Sequence, residues 1–334
     1  MGDFSSIEIE GGILVKPVLC SGEILIDFIS EDKGKKLMDS ETFKKRPGGS
    51  PFNIAVGISR LGTKVSFLGK LGKDPFSNFL MKVLESEGID TSNVVVDERC
   101  KTTLAFVARD ERGNPDFVFF RENPADSLLK IEEVKIDPSE FSLYHFGSIS
   151  ILEDPSRTTY MTIMEKFYEK KIPISFDPNV RPNLIKNRKH FLEDFHRISS
   201  HVDILKMSYD DLVYITQEKS LDKALDKIKL KDDTIIFITL GEQGCFVQCR
   251  EYKKHIPAFK VREIDATGCG DAFMAAVIHK YLENKPESFE DIVNIGKFAN
   301  AVSAIVLTKV GGANSMPYIE EVTNFLENYK TLNT

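Results

Sequence analysis

Short apolar runs rich in β-formers recur along the chain with amphipathic helical stretches between them, and this alternation narrows the available folds more than any other feature. The runs are VLCSGEILIDFI from Val18, VSFLGKLG from Val65, LYHFGSIS from Leu143, PISFDPN from Pro173, DILKMS from Asp203 and TIIFITLG from Thr234. Between them, residues 77–87 and 156–170 have helical periodicity, and PYIEEVTNFLENY from Pro317 reads as a closing helix with Pro in its first turn. The expectation is a single layered α/β domain over residues 1–334 with a mostly parallel sheet.

Two stretches break the alternation. Residues 28–46 are charged and turn-like, whereas in 101–122 the runs TTLAFVA and FVFF flank RDERGNPD, a β-hairpin pattern with Gly113-Asn114-Pro115 at its tip. In a doubly wound sheet such excursions sit at the strand ends where ligands bind, so both are expected to form a lid. An edge hairpin that only covers the sheet is the other reading of 101–122.

Charge and cysteine content restrict the partners. Lys and Arg number 44 against 51 Asp and Glu, a net charge of −7 with the acidic residues scattered, so neither nucleic acid nor an anionic membrane is an expected partner. With no apolar run of about 18 residues, neither a membrane span nor a signal peptide is expected. Cys20, Cys100, Cys245, Cys249 and Cys269 are odd in number and read as free thiols of a reducing, cytoplasmic compartment. Met1, Gly2 and Ser6 match a loose N-myristoylation pattern that is too short to carry an expectation. None of the six His residues stands at a recognisable metal spacing, so no zinc site is expected.

The most informative stretch is Asp265-Ala-Thr-Gly-Cys-Gly-Asp271, followed directly by AFMAAVIHKYLEN, a helical run. Glycines at 268 and 270 let the backbone turn so that several amides point one way, and the helix that follows adds its positive end. Such a turn is an anion cradle. An Asp in a first helical turn also reads as a capping residue. No G-x-x-x-x-G-K-[ST] occurs, and after Gly268-x-Gly270 the dinucleotide fingerprint fails at Phe273, so P-loop and nicotinamide chemistries are disfavoured.

This run resembles the signature of the ribokinase-like (PfkB) carbohydrate kinases, and further likenesses extend over about residues 18–318, closest to fructokinases. The resemblance implies a three-layer α/β/α fold with a mostly parallel central sheet and a small β lid. It implies Asp271 as the base that deprotonates the sugar hydroxyl, and an anion hole at Gly268, Cys269 and Gly270, with Cys269 where the family usually has Ala. Gly22-Glu-Ile-Leu-Ile-Asp27 resembles the family's first strand, whose Asp binds sugar hydroxyls. Gly48-Gly49-Ser-Pro-Phe-Asn53 resembles its sugar-binding turn, with Asn53 offering both donor and acceptor. Thr239-Leu-Gly241-Glu-Gln-Gly244 is similar to the turn that carries ATP, although it also reads as an ordinary strand-to-strand turn. Lys206, Thr267 and Asn300 are carried over as further ATP-binding positions.

One departure concerns the metal. Where the family often has N-x-x-E, this chain has Ser208-Tyr-Asp-Asp211. Mg²⁺ is therefore expected on the ATP phosphates and water, with Asp211 reached through water and no firm protein ligand. Asp265 and Thr267 are candidates for the K⁺ site of some relatives.

Phe119-Phe-Arg121-Glu-Asn-Pro-Ala-Asp126 and Phe176-Asp-Pro-Asn179-Val-Arg181 resemble fructokinases and 2-keto-3-deoxygluconate kinases, and make Arg121, Asn179 and Arg181 substrate-side candidates. Either arginine also reads as a structural charge. Fructose is the expected substrate and the keto acid the runner-up; ribose, adenosine and a non-catalytic sugar binder fit less well. Two further expectations follow. The Cys269 thiol at a helix N-terminus should have a lowered pKa and be open to oxidation, and the apolar 101–122 hairpin suits a homodimer through the lid.

Overall fold

The apolar run from Val18 makes two strands in different sheets, not one, and this break builds the site. The computed structural model describes residues 9–10, 13–14, 16–109, 111 and 115–332; the myristoylation pattern and Gly113-Asn114 of the hairpin tip lie outside them. A two-residue ribbon, β1 (Ile9–Glu10) with β2 (Ile13–Leu14), comes first. β3 (Val18–Ser21) is wholly buried and ends at Gly22, whose φ of 145° turns the chain out into β4 (Leu25–Ser30) of a second sheet. β5 (Phe43–Gly48) returns antiparallel to β4, so the 28–46 excursion is strand at both ends.

The body continues through α1 (Ser50–Arg60), β6 (Val65–Gly72), α2 (Pro75–Ser86) and β7 (Val94–Asp97), before the expected hairpin of β8 (Leu104–Arg109) and β9 (Pro115–Phe120). β10 (Leu143–Gly147), α3 (Ser156–Glu169), β11 (Ile174–Asp177), α4 (Arg188–Ser199), β12 (Ile204–Ser208), α5 (Tyr209–Thr216), α6 (Leu221–Leu225) and β13 (Ile235–Thr239) follow in strand–helix alternation. β14 (Cys245–Cys249) and β15 (Tyr252–Ile256) then meander antiparallel at the edge. The chain closes with α7 (Cys269–Glu283), α8 (Phe289–Leu307), α9 (Gly312–Ser315) and α10 (Ile319–Leu332), the last beginning two residues beyond Pro317.

The main sheet has nine strands in the order β15-β14-β13-β12-β11-β10-β3-β6-β7, parallel from β13 to β7. One face packs Phe67, Phe237 and Phe273 under α1, α7 and α8; the other packs Phe146, Phe176 and Phe195 under α3 and α4. This is the ribokinase-like three-layer α/β/α arrangement. The second sheet, β5-β4-β8-β9, is small and mixed: β4 pairs with β8 in parallel and both outer pairs are antiparallel. It stands over the carboxyl ends of the parallel strands, where an open α/β sheet leaves its crevice.

Candidate active site

The site is assembled from strand ends. Beyond β3 comes Glu23, beyond β10 come Ser148 and Ser150, β11 ends on Asp177, and β12 carries Lys206. The lid contributes Asp27, Ala105 and Phe119, and α1 and α7 bring their first turns. With Ser150 and Asp177 set behind the wall, these elements enclose a cavity of about 540 Å³ lined by Asp27, Gly49, Asn53, Asn179, Arg181, Lys206, Thr267, Gly268, Gly270 and Asp271 among others. Gly48 sits just behind it, against the Asp27 carboxylate.

Asp271 is the third residue of α7 and only 8% exposed. Its Oδ1 accepts from Ser50 Oγ at 2.6 Å and its Oδ2 from Asn53 Nδ2 at 2.8 Å. Burial pushes its carboxyl above the usual carboxylate range, opposed by these two hydrogen bonds and by the charges of Lys206 and Arg181. Asn53 has thus committed a donor, while its buried Oδ1 has no hydrogen-bond partner among the described residues and is left to accept. Ahead of Asp271, Gly268 takes φ 86°, a left-handed value that favours glycine. The first turn of α7 presents amides that the helix itself cannot pair.

Two carboxyls that stand opposite the base are also pushed up by burial. Asp27 rises to about 6, with Arg181 lowering it and Asp271 raising it. Glu23 rises to about 7. Its Oε1 accepts from the Ser50 backbone N–H at 3.2 Å, and Ser150 Oγ donates to Oε2. A path of hydrogen bonds therefore runs from Ser150 through Glu23 and Ser50 to Asp271.

A second cavity of about 950 Å³ shares Asn179, Arg181, Lys206 and Gly270 with the first and extends over Asp211, Thr239 and Gly241. A third, about 600 Å³, joins it at Gly241 and is lined by Phe259, Cys269, Asn300 and Ser303. Asn300 Nδ2 donates to the carbonyls of Ile256 and Pro257 at 3.2 and 3.1 Å. Gly244 lies outside these walls and closes the turn between β13 and β14 through Leu240 N–H to its carbonyl, 2.8 Å. TLGEQG is thus a strand-to-strand turn that also lines a cavity. Asp211 caps α5: its oxygens accept the Val180 and Ser208 amides, each at 2.9 Å.

Two expectations change here. Arg121 does not reach the cavity, because its guanidinium is bound to buried Asp126 at 2.7 Å, next to Thr103, which donates to the same carboxylate. The Cys269 thiol is not lowered; burial pushes it up to about 12, and Asp265 and Asp271 add to the rise. Desolvation outweighs the helix end, so the basis for oxidation is lost. Glu23, Ser50, Ser150 and Asp177 were absent from the sequence reading. Ser50 lies inside Gly-Gly-Ser-Pro-Phe-Asn, Glu23 inside Gly22–Asp27 and Asp177 inside Phe176–Arg181, stretches in which other residues were singled out; Ser150 had no such signal.

Comparison with known proteins places residues 15–319 in a match to the pfkB family carbohydrate kinase profile. Fructokinase-1 of Zea mays is 36% identical over 315 residues, covering 93% of this chain and 97% of that one. An uncharacterized sugar kinase of Pyrococcus horikoshii, solved in complex with ATP, is 33% identical, with a TM-score of 0.82 over 91% of this chain and 96% of that one. A double mutant of the Vibrio cholerae O395 fructokinase, solved with fructose, ADP and potassium ion, is 25% identical, with a TM-score of 0.80 over 93% of this chain and 98% of that one.

Proposed function

Since the chain belongs to the pfkB family of carbohydrate kinases, we propose that this sugar kinase is a fructokinase that moves the γ-phosphoryl group of MgATP to a primary hydroxyl of fructose, with Asp271 as base. The observation that carries the reading is the place of Asp271, buried in the first turn of α7 beside the Gly268–Gly270 turn, hydrogen-bonded to Asn53 and sharing one cavity wall with Asp27. The sugar occupies that cavity under the lid, and the nucleotide occupies the two that adjoin it. The sugar hydroxyl gives its proton to Asp271 as its oxygen bonds to the γ-phosphorus; the bond to the bridging oxygen breaks and ADP leaves with the electron pair. Amides of residues 268–270, with Lys206, offset the charge on the phosphoryl oxygens.

Mg²⁺ fits this site as an ion carried by ATP. Asp211 has both oxygens occupied by amides, and among the described residues there is no group of three His, Cys, Asp or Glu that could hold a metal. When bound with ATP the ion would supply positive charge to the phosphates, and Asp211 would be the residue to meet it through water. Asp265, which accepts from Thr267 and from Gly311 N–H, is the residue to change when testing activation by K⁺.

The polar balance of the sugar cavity favours a neutral polyol over the keto acid. The keto acid's carboxylate would need a cationic partner, and Arg121 is held by Asp126 while the charge of Arg181 already acts on Asp27 and Asp271. On the lid, Phe120 is 60% exposed and Val118 42%, which supports a homodimer through that sheet. No helix of the described residues is long and apolar enough to cross a membrane.

The deciding experiment is a coupled ADP-release assay with MgATP and fructose, 2-keto-3-deoxygluconate, ribose or adenosine. Highest kcat/KM with fructose supports the proposal. Preference for the keto acid replaces the substrate and leaves the base in place; turnover of none removes the catalytic reading.

A further inference from the structure

The Asp-Pro-Asn-Val-Arg stretch begins with a residue to which the mechanism above gives no part. Asp177 is the last residue of β11 and 1% exposed. Its two carboxylate oxygens serve different partners. Oδ2 accepts from Lys206 Nζ at 2.8 Å, and Oδ1 accepts the Asn179 backbone N–H at 3.1 Å. Asn179 is held at φ 37°, in the left-handed region, and from there its own Oδ1 accepts from Arg181 Nη1 at 2.6 Å. One carboxylate orders two cations, one directly and one through Asn179.

Lys206 and Arg181 are the basic side chains common to the walls of the first and second cavities. Gly270 is common to the same walls, and a Cβ there would lie 2.9 Å from Lys206 Nζ, so the ammonium rests against the glycine turn. Replacing such a fully buried ion pair by apolar groups is often neutral or stabilising, so stability alone does not account for it. Burial works against the Lys206 ammonium, yet Asp177, then Asp211 and Asp271, more than offset it and hold its pKa above the usual lysine value. The other titratable group that feels this charge is His145, which burial and Lys206 push down to about 3 and keep neutral.

We propose that Asp177 is a positioning residue for phosphoryl transfer, holding Lys206 and, through Asn179, Arg181 at the junction of the two cavities so that both cations meet the terminal phosphate. The idea rests on the nucleotide placement proposed above and not on which sugar is used. It explains the order of residues in the stretch: a carboxylate at the strand end, a left-handed Asn that turns the chain, and an Arg brought back to the same point.

Asp177→Asn in the full chain keeps the shape and the acceptor for the Asn179 amide while removing the charge opposite Lys206. ATP and ADP binding are measured by calorimetry without sugar, and kcat is followed against pH with the sugar that the wild type turns over. The variant is expected to lose about 10-fold of its preference for ATP over ADP and about 100-fold in kcat, with KM for the sugar changed less than about 3-fold. The alkaline limb of kcat should move to lower pH, because Lys206 has lost its nearest counter-charge. In a Lys206→Met background the same substitution should cost much less than in the wild type. A uniform loss of kcat at every pH with the ATP preference intact would make Asp177 merely structural and overturn the inference. If Asp177→Asn does not fold, Lys206→Met and Asn179→Gly are combined: Asn179→Gly removes the side-chain acceptor of Arg181 Nη1 and leaves the carbonyls of residues 179 and 180, each at 3.2 Å, so a lost ATP preference in the double variant supports the inference and a wild-type preference overturns it. A wild type inactive on every sugar offered would count against the proposed substrates, while the ATP and ADP comparison would still decide this point.

Discussion

Removing the Ser50 hydroxyl tests whether Asp271 is the base by moving its titration and leaving the residue in place. Ser50 Oγ donates to Asp271 Oδ1 at 2.6 Å inside the buried site, a hydrogen bond made to the charged form. Hydrogen bonds to a charged group contribute about 1.5–3 kcal/mol, and one pKa unit corresponds to about 1.4 kcal/mol. Ser50→Ala should therefore raise the Asp271 pKa by about 1–2 units, since burial continues to act and one of its opponents is gone. The backbone N–H of residue 50 still reaches Glu23, so the start of α1 keeps its anchor. The assay is kcat/KM for the sugar from pH 5 to 9, coupled to ADP release. The acid limb should shift to higher pH by the same 1–2 units, with the plateau rate changed far less. An acid limb that stays put while the plateau falls would show that Asp271 does not govern the proton step.

Other expectations are more direct. Asp271→Asn should lower kcat by about 10² to 10⁴ with little change in sugar affinity, and near-normal turnover would remove it from the role. Gly270→Ala places a Cβ 2.9 Å from the Lys206 ammonium, so ATP binding should weaken while thermal stability changes little; wild-type ATP affinity would refute the close approach. Glu23 and Asp27 have folded-state pKa values raised to about 7 and about 6 from 4.5 and 3.8. The folded chain therefore binds more protons than the unfolded one between these limits, and stability should fall as pH rises through about 4 to 7. Melting temperatures of Glu23→Gln should show a shallower slope over that window, and an identical slope would contradict the assignment.

Much of the fold was legible because its signals are local. The D-x-T-G-x-G-D turn carries its glycines, its helix start and its acid within seven residues, and each strand–helix repeat announces itself by period. What escaped depends on residues distant in sequence. VLCSGEILIDFI reads as one strand until β4 finds β8, a pairing that Ile26 makes with Leu104 and that no local pattern encodes. Glu23 and Asp177 sit inside motif-bearing stretches, but nothing local marks them as buried site groups, since their partners come from other segments: Ser50 and Ser150 for one, Lys206 for the other. Arg121 differs: its partner Asp126 is in the same Phe119–Asp126 stretch, and what local pattern does not encode is the burial of that carboxylate against Thr103, which draws the guanidinium away from the cavity. At Cys269 the sequence advertises the helix end, whereas the desolvation that outweighs it depends on packing that no local pattern shows.

The place of β3 has a consequence for how the chain is made. β3 lies between β6 and β10, and Val18 pairs with both Val65 and Leu143. During synthesis the first neighbour is available early, but the second is translated only after β7 and the whole lid sheet. Until then one edge of a strand destined for full burial has open amides and carbonyls, which is the condition under which nascent chains pair with one another. A ribosome stalled before Leu143 would hold a chain able to complete the lid yet unable to close its own core. Demand for chaperones should be greatest over that interval and should drop once β10 has emerged.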